Sequence, residues 1–465
     1  MIPFKGLIQA ILTDEVANFI GEMKAIEVGE IEQSSILNQI FADISYRVSY
    51  ELYLALDAER HAQAVTLPYF LHFTTPAPAY ENFFSRILND GGRSEKVRQF
   101  IKKRFILISR YIFNVISLSS SLLALVPGVN HRSIKISVGD SHLGGEMTVR
   151  IGDDEGTTAY YKPRGAESRR LMCDIATELG FPELVCRPVL AKNSGYFCLS
   201  TGYTPEYSDQ YYFNYGILVA LSGVLAATDL HFQNIISSDG FPVVIDDETI
   251  LHPRSSPHLD WRSSFRATGL LAFHDAQDFS PLGVKSGVYT AQKTLSFSST
   301  DTEAMKVSRV QVRTPKQYCR PRGLPNKKEL RQGFIFGIEK IKKKQKNLQD
   351  IVYYNKNSEI RTIIRSSHYY RSLFVFCADN KNLKSYINNS AEFPEDVRSY
   401  ECLSIENGDI PYFSTRINSK NLYFGNYKSR CFYGQSGFDV FKENIRCVIN
   451  LSREDADKLA RVCFP

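Results

Sequence analysis

Four polar side chains suited to phosphate and metal chemistry lie within one short part of the sequence. Asp229, His231 and Asn234 fall within six residues of one another, in the stretch TDLHFQN, and Asp246 ends the apolar run that follows them. Soluble domains usually bury apolar runs and expose charged residues, but here charged residues lie directly beside apolar runs. This arrangement is typical of a site that holds a phosphate group and its metal ion.

The pattern predicts a phosphoryl-transfer site that binds ATP and Mg²⁺. Such a site needs a cation against the phosphates, oxygen ligands for Mg²⁺ and a group that orients the attacking hydroxyl. Lys162, in AYYKPR, is the candidate cation, and Asn234 and Asp246 offer the hard oxygen ligands that Mg²⁺ prefers. Asp229 is then placed to orient or deprotonate the hydroxyl, with His231 nearby.

Each of these residues also has an ordinary structural interpretation. His231 suits a helix end, Asn234 a turn and Asp246 a loop, while Lys162 suits a solvated strand. Taken singly, the ordinary interpretation is the better one. The order of the residues along the chain, after a lysine on a strand, favours the functional interpretation.

The elements predicted around these residues follow the order of a kinase-type nucleotide site. Two strands around an acidic glycine turn predict a hairpin, with Lys162 on the second strand and Pro163 ending it. A helix follows over residues 166–180, with Gly180 as its C-cap. Strand-like segments and a long apolar helix (211–228) come next and lead directly into the charged loop.

The remaining segments are predicted from the same patterns. Residues 1 to about 130 have helical spacing, and the apolar stretch 105–127 is a buried helix rather than a membrane span, since it contains five serines. The polar region after Thr249, up to about Gly323, predicts loops. A helix with a solvated lysine-rich face follows over 330–349, and a final helix has Ser452 as its N-cap.

Composition narrows the class of protein. The chain has 465 residues, a net charge of +6 and an ordinary hydrophobic content of 43%. The charge is too small for a nucleic-acid-binding protein. Nine cysteines without a CxxC pair argue against a disulfide framework and indicate a reducing, cytoplasmic location. The N-terminal residues do not form a signal peptide, and no stable membrane insertion is expected.

The motifs together resemble the dehydratase domain of class II lanthipeptide synthetases, the LanM family. That family combines a GDxH motif, YKPR, a TDLHxEN-like loop and IDLETLFHP in this order. The matching segments here are GDSH (139–142), YKPR (161–164), TDLHFQN (228–234) and IDDETILHP (245–253). Three later segments are also similar to the family: the GF pair within 330–349, RTIIRSSHYY (361–370) and GDIPYF (408–413). The resemblance runs from about Ile134 to the C-terminus.

The resemblance implies an α+β protein with a lipid-kinase-like, two-lobed fold and an N-terminal helical region. The expected divisions are a helical region over 1–130, a small kinase-like lobe over 131–205 and a large lobe over 206–465. The large lobe would carry the activation and elimination elements.

The implied activity is dehydration of Ser and Thr in a ribosomally made precursor peptide that carries a leader sequence. ATP phosphorylates the hydroxyl, and elimination of the phosphate then gives dehydroalanine or dehydrobutyrine. Carried over residue by residue, the phosphorylation half consists of Lys162, Asp229, His231, Asn234, Asp246 and Glu248. The elimination half consists of Asp140, His142, Arg361 and the hydroxyl of Ser367. The planar fork of an arginine suits a departing phosphate.

The chain departs from the family pattern at several positions. Ser367 replaces the family's threonine, Gln233 replaces a common glutamate, and Asp247 is an additional acid. After GDSH, Leu143 and Glu146 occupy positions that are usually polar or basic in the family. All the implied phosphorylation residues are therefore present, while the surroundings of the elimination residues differ.

The family's zinc-dependent cyclase motifs do not appear in the sequence. We therefore expect no cyclase domain, no structural zinc and no thioether ring formation by this chain. Any ring formation would fall to a separate cyclase, as a further partner.

Two alternatives to a dehydratase are open on the sequence alone. The first is a kinase that stops at the phosphorylated peptide, protein or small molecule; a stable phosphorylated product, with Asp140 and His142 dispensable, would distinguish it. The second is a silent module that holds a leader peptide or another partner. The second alternative is disfavoured because a silent domain has no need of phosphate and metal ligands, and all four are present: Lys162, Asp229, Asn234 and Asp246.

Overall fold

The described part of the chain combines helices with small antiparallel sheets, which is consistent with an α+β protein. A computed structural model describes residues 2–66, 79–125, 133–136, 141–152, 158–192, 195–200, 207–256, 260–271, 280–282, 293–300, 304–311, 325–374, 380–388, 393–424 and 427–465. The chain divides into two compact units. Unit 1 comprises Met1–Asp153, Lys293–Gln311 and Arg365–Pro411, and unit 2 comprises Asp154–Gln292, Val312–Ile364 and Tyr412–Pro465. The lipid-kinase-like fold stays a prediction, as do the divisions near residues 130 and 205.

Unit 1 is mainly helical. Its helices are α1 (Lys5–Ile11), α2 (Thr13–Ala25), α3 (Glu30–Thr66), α4 (Ala79–Asn89), α5 (Arg93–Leu125), α10 (Ser367–Leu373), α11 (Asn380–Asn388) and α12 (Glu395–Glu406). Its strands are β1 (Ile134–Ile136), β2 (Val149–Ile151), β8 (Lys293–Ser298) and β9 (Lys306–Gln311), and β1 pairs antiparallel with β2. The prediction of helices before residue 130 is confirmed for the described residues.

Helix α5 shows why the stretch 105–127 is apolar without being a membrane span. Phe105, Ile108 and Ile112 are buried at a spacing of three to four, whereas Ile106 and Arg110 are exposed, so one side of the helix packs against the protein and the other does not. Among the described residues, no helix is both long enough and apolar enough to cross a bilayer.

An antiparallel hairpin lies in the region for which the sequence predicted loops. Strands β8 and β9 pair from Lys293↔Gln311 to Ser298↔Lys306. The prediction of loops as far as Gly323 is therefore wrong at these two strands. The strands were missed because they contain mostly polar residues, and backbone hydrogen bonds between strands need no apolar run.

Unit 2 contains most of the candidate site residues. Its helices are α6 (Ala166–Leu179), α7 (Asp209–Val224), α8 (Ser263–Ala267), α9 (Lys327–Tyr354), α13 (Gly437–Ile449) and α14 (Arg453–Cys463). Its strands are β3 (Thr158–Lys162), β4 (Pro188–Lys192), β5 (Gly195–Ser200), β6 (Ile235–Ser238), β7 (Phe241–Val244), β10 (Glu359–Thr362), β11 (Phe413–Arg416), β12 (Asn421–Phe424) and β13 (Tyr427–Cys431). The short helix α8 is a second departure from the predicted loops.

The core of unit 2 forms around α7, which is buried on nearly all sides, and α9. Glycines allow the two helices to touch along their backbones. A Cβ on Gly333 would lie 1.8 Å from the carbonyl oxygen of Phe213, and one on Gly216 would lie 2.1 Å from that of Leu330. The GF pair in the sequence thus has a packing reason, because no larger residue than glycine fits at this crossing.

Helix ends in unit 2 follow the local signals in the sequence. Gly180 ends α6 in the left-handed region at φ 85°, as its predicted C-cap role requires. The side chain of Ser452 accepts a hydrogen bond from the backbone N–H of Asp455 at the start of α14, which confirms it as the N-cap.

The strands of unit 2 that precede or contain candidate site residues belong to antiparallel sheets. Strand β5 pairs with both β3 and β4, and Lys162 at the end of β3 lies opposite Tyr196. Strands β6 and β7 form a hairpin from Ile235↔Val244 to Ser238↔Phe241. Strand β10 pairs with β11 in a sheet of the order β10-β11-β12-β13.

Candidate active site

The predicted phosphate lysine and the predicted magnesium aspartate form an ion pair. Lys162 Nζ lies 2.6 Å from Asp246 Oδ2, and the two side chains are 7% and 29% exposed. Burial would raise the pKa of Asp246, but the charge and hydrogen bond of Lys162, together with the charges of Arg361 and Arg169, lower it. Asp246 is therefore an ionised carboxylate, partly open to solvent, beside a nearly buried cation.

The loop that carries Asp229 and Asn234 is held by hydrogen bonds to its backbone carbonyl oxygens. Asn234 Nδ2 donates to the carbonyl oxygen of Asp229 at 2.7 Å. The backbone N–H of Ile245 donates to the carbonyl oxygen of Asn234 at 2.9 Å. The second bond connects the loop to the residue before Asp246. Asp229 is in the left-handed region at φ 63°, which is uncommon for a residue other than glycine.

His231 lies close to Asp229 on the same loop. Its Nε2 is 3.6 Å from Asp229 Oδ1, and the two side chains are 28% and 41% exposed. Both groups are thus accessible to a substrate hydroxyl. A general base must be able to reach the proton that it removes, and the exposure of these two side chains allows a substrate hydroxyl to approach them.

The residues around Asp246 fit a magnesium ion held partly by phosphate. Asp246 supplies an ionised carboxylate, and Asn234 keeps its Oδ1 as an acceptor because its Nδ2 is the atom that donates to Asp229. In the described part of the chain there is no cluster of three or more His, Cys, Asp or Glu side chains that could hold a metal by itself. Magnesium commonly takes one or two protein ligands and completes its shell with phosphate oxygens and water.

Glu248 and Arg361 form a second ion pair in unit 2. Arg361 Nη1 lies 3.2 Å from Glu248 Oε2, and the backbone N–H of Arg361 donates to the carbonyl oxygen of Glu248 at 3.0 Å. Burial and the charge of Asp246 raise the pKa of Glu248, while Arg361 opposes this. A residue predicted for elimination is thus in direct contact with one predicted for phosphorylation.

Asp247 has a structural role that the sequence analysis missed. Its carboxylate Oδ1 is 3.0 Å from Arg169 Nε on α6, and both side chains are fully buried. Arg169 also donates to the carbonyl oxygens of Cys186 and Val244, at 3.1 and 2.8 Å. The additional acid of IDDET therefore joins α6 to the end of β7. The signal in the sequence was Arg169 itself, which falls on the apolar side of α6.

A buried charged cluster in unit 1 contacts Ser141 of the GDSH motif. Asp409 Oδ1 accepts hydrogen bonds from Ser141 Oγ and from Arg104 Nη1, both at 2.7 Å. Arg104 Nε also pairs with Asp43 Oδ2 at 3.1 Å, and Asp43 Oδ1 pairs with Arg47 Nη1 at 2.6 Å. Two positive and two negative side chains thus neutralise one another, as buried charges require. Sequence reasoning found none of the four as cluster members.

The same cluster positions the turn that follows His142. Asp409 Oδ2 accepts hydrogen bonds from the backbone N–H groups of Gly144 and Gly145, at 2.6 and 3.3 Å, and both glycines have φ above 90°. His142 Nδ1 lies 2.7 Å from the carbonyl oxygen of Ile410. Asp409 and Ile410 therefore hold Ser141, His142 and the turn after them through both side-chain and backbone contacts.

The residues predicted for elimination are divided between the two units. His142 and Ser367 belong to unit 1, and Arg361 belongs to unit 2. Ser367 is the first residue of α10, directly after the N-cap Ser366. Asp140 lies outside the described residues. The six residues predicted for phosphorylation, in contrast, all belong to unit 2.

The family of the chain follows from a comparison with known domains. A family model described as a domain of unknown function, DUF4135, matches residues 94–416, more than two thirds of the chain. The chain belongs to the DUF4135 family. This is the domain found in LanM-type lanthipeptide synthetases. No curated protein matches the chain.

The DUF4135 match covers the motifs on which the sequence analysis rested. It includes the segments with Lys162, Asp229, Asp246 and Arg361, and it extends to Arg416 on β11. It also includes Arg104 and Asp409, two members of the buried cluster in unit 1. Family membership indicates an enzyme that modifies lanthipeptides.

Proposed function

We propose that this DUF4135 protein catalyses ATP-dependent dehydration of Ser and Thr in a ribosomally made precursor peptide. The reaction has two steps, phosphorylation of the hydroxyl and elimination of the phosphate to give dehydroalanine or dehydrobutyrine. The observation that carries the proposal is the Lys162–Asp246 pair, beside the loop of Asp229 and Asn234, in a chain of this family.

In the phosphorylation step, the side chains of unit 2 neutralise and orient the reacting groups. Lys162 binds the phosphates of ATP, and Asp246 and Asn234 would hold Mg²⁺, which when bound supplies positive charge against the phosphate oxygens. Asp229 orients the peptide hydroxyl and accepts its proton, while His231 is close enough to assist. The hydroxyl oxygen forms the new bond to phosphorus as the bond to ADP breaks.

In the elimination step, a base removes the α-proton of the phosphorylated residue. The electron pair of that C–H bond forms the Cα–Cβ double bond, and the Cβ–O bond breaks to release phosphate. We assign the elimination step to Asp140 and His142 for the proton transfer, to the hydroxyl of Ser367, and to Arg361 for the departing phosphate. Arginine retains its charge throughout, so it can hold the dianion as it leaves.

The expected partner is a precursor peptide with a leader sequence, and a separate cyclase would act on the dehydrated product. The expected location is the cytoplasm, where ATP and newly made precursor peptide are both present. The mild positive charge of the chain is compatible with an anionic substrate.

A kinase that stops at the phosphorylated product is the second candidate. One observation favours it: His142 and Glu146 exchange two backbone hydrogen bonds, each of 2.8 Å, so a glutamate lies in the same tight turn as the implied elimination histidine. A negative charge close to a departing phosphate would oppose its binding.

Mass spectrometry of candidate precursor peptides, incubated with the protein, ATP and Mg²⁺, tests the proposal. Loss of one water per modified Ser or Thr is the expected result. A stable gain of one phosphoryl group would support the kinase instead. No change in the mass of any peptide encoded beside the gene, under conditions in which the protein binds ATP, would contradict both.

A further inference from the structure

Two arginine side chains lie against the buried ring of Tyr412. The guanidinium carbon of Arg164 lies 4.6 Å from the ring centre and that of Arg361 lies 5.7 Å from it. The ring is 6% exposed, whereas both arginines are only partly buried. An aromatic ring attracts guanidinium groups and fixes their planes, so the two cations are positioned by a common rigid group.

The turn that holds Arg164 is pressed against the carboxylate side chain that pairs with Arg361. Gly165 has a φ of 80°, and a Cβ at this position would lie 2.7 Å from Glu248 Cγ. Glu248 in turn lies 3.2 Å from Arg361 Nη1. Arg164, Tyr412, Glu248 and Arg361 thus form one cluster within unit 2, and we call it the Tyr412 cluster.

The charges of this cluster suit a phosphate monoester. The four side chains of the cluster carry two guanidinium groups and one carboxylate, that of Glu248. A phosphate monoester carries about −1.5 to −2 charges at neutral pH and offers three acceptor oxygens. The forked guanidinium groups match such an anion better than an ammonium group does.

We propose that Arg164 is a second phosphate-binding residue, which acts with Arg361 on the phosphoserine or phosphothreonine of the peptide, and that Tyr412 positions both arginines. This inference rests on the proposed function, since it requires a phosphorylated intermediate. Arg164 of the YKPR segment and Tyr412 of the GDIPYF segment are not among the residues assigned to phosphorylation or elimination. The inference gives each of them a role. Because Arg361 is assigned to the elimination step, the phosphate that Arg164 binds is that of the peptide rather than that of ATP.

Binding of a capped phosphoserine amide tests the inference separately from turnover. It is monitored by ³¹P NMR in the absence of nucleotide. The matched control is Arg170→Ala, which removes an exposed arginine from α6. We expect Arg164→Ala to weaken phosphoserine binding by about 10-fold to 100-fold, the loss typical of a charge-assisted hydrogen bond. Arg164→Lys should recover part of it, and Arg170→Ala should leave it unchanged.

ATP binding and the ring of Tyr412 give two further measurements. The affinity for ATP with Mg²⁺ should stay within about threefold in Arg164→Ala, since ATP is bound by other residues. Tyr412→Phe keeps the ring and should retain phosphoserine binding, whereas Tyr412→Leu should weaken it, with thermal unfolding used to confirm that both variants fold.

Three outcomes would overturn the inference: no phosphoserine binding by the wild-type protein, unchanged binding in Arg164→Ala, or a loss confined to ATP. If phosphoserine binding depends on Arg164 but phosphopeptide is never converted to dehydroalanine, the inference stands and the elimination step of the proposed function fails.

Discussion

Asp246 and Asp247 are adjacent in sequence but have opposite pKa shifts, which separates a candidate ligand from a structural charge. Against the effect of burial, the charges of Lys162, Arg361 and Arg169 together lower the pKa of Asp246, whereas burial raises the pKa of Asp247 despite its contact with Arg169. Asp246 remains 29% exposed and Asp247 is fully buried. A carboxylate that is ionised and accessible can bind a metal ion that enters from solution, and a fully buried one cannot.

Replacing Lys162 by alanine should abolish peptide phosphorylation. The change removes the cation proposed for the phosphates and leaves Asp246 without its counter-charge, so a loss of about 10²-fold to 10³-fold is expected from one electrostatic contact. Mass spectrometry of the peptide after incubation with ATP and Mg²⁺ measures the effect. Lys343→Ala, at an exposed position on α9, is the control, and normal phosphorylation by Lys162→Ala would contradict the assignment.

Replacing Arg361 by alanine should cause phosphorylated peptide to accumulate. Phosphorylation uses other residues, whereas the departing phosphate loses a guanidinium contact, so the second step slows more than the first. The ratio of phosphorylated to dehydrated peptide over time measures this, with Arg170→Ala as the control. Unchanged dehydration in Arg361→Ala would show that this arginine has no part in elimination.

Helices α7 and α9 depend on glycine for their contact, and this contact supports the loop that follows α7. The carbonyl oxygen of Phe213 on α7 would lie 1.8 Å from a Cβ on Gly333 of α9. Leu225, the C-cap of α7, leads within four residues to Asp229. A displaced α7 would therefore move the loop that carries the candidate base.

Gly333→Ala should destabilise the protein although alanine is the better helix former. The clash with a backbone atom requires the two helices to separate, and overpacking of this kind costs about 1–3 kcal/mol or more. Thermal unfolding followed by circular dichroism measures the change. Gly21→Ala on α2, where a Cβ meets nothing within 4 Å, should instead be neutral or raise stability by up to about 1 kcal/mol. Equal effects of the two substitutions would contradict the packing argument.

Both units bury charged side chains in pairs, and these pairs make the stability of the whole molecule sensitive to pH. In unit 1, burial would raise the pKa of Asp409, but Arg104, Ser141 and Gly144 together lower it. A carboxyl with a lowered folded-state pKa gives its full stabilisation above the unfolded-state value of about 3.9. This stabilisation is lost as the pH falls through the folded-state pKa.

Asp409→Asn should lower the free energy of unfolding at neutral pH and make it less sensitive to acid. Removing one partner leaves Arg104 partly uncompensated, which costs about 3–5 kcal/mol for a buried pair. Denaturant unfolding between pH 7 and pH 3 measures both effects, with the exposed Asp350→Asn as the control. The same acid dependence in Asp409→Asn and wild type would show that this carboxyl does not contribute.

The sequence predicted the parts of the protein that depend on local patterns. Apolar periodicity and end signals gave α5, α6, α9 and α14, because a helix is specified by residues within a few positions of one another. A lysine on a predicted strand and an aspartate at the end of an apolar run made Lys162 and Asp246 candidates, and their charged atoms lie 2.6 Å apart in the structure.

Tertiary structure decided the features that depend on distant parts of the chain. The pairing of Asp409 with Arg104, of Asp247 with Arg169 and the two arginines on Tyr412 join residues that no spacing rule connects. Strands β8 and β9 were missed for a similar reason, since their stability comes from pairing with each other rather than from their own composition. The sequence alone thus determined which chemical groups are available, and folding determined which of them meet, because contacts between charges depend on distance in space.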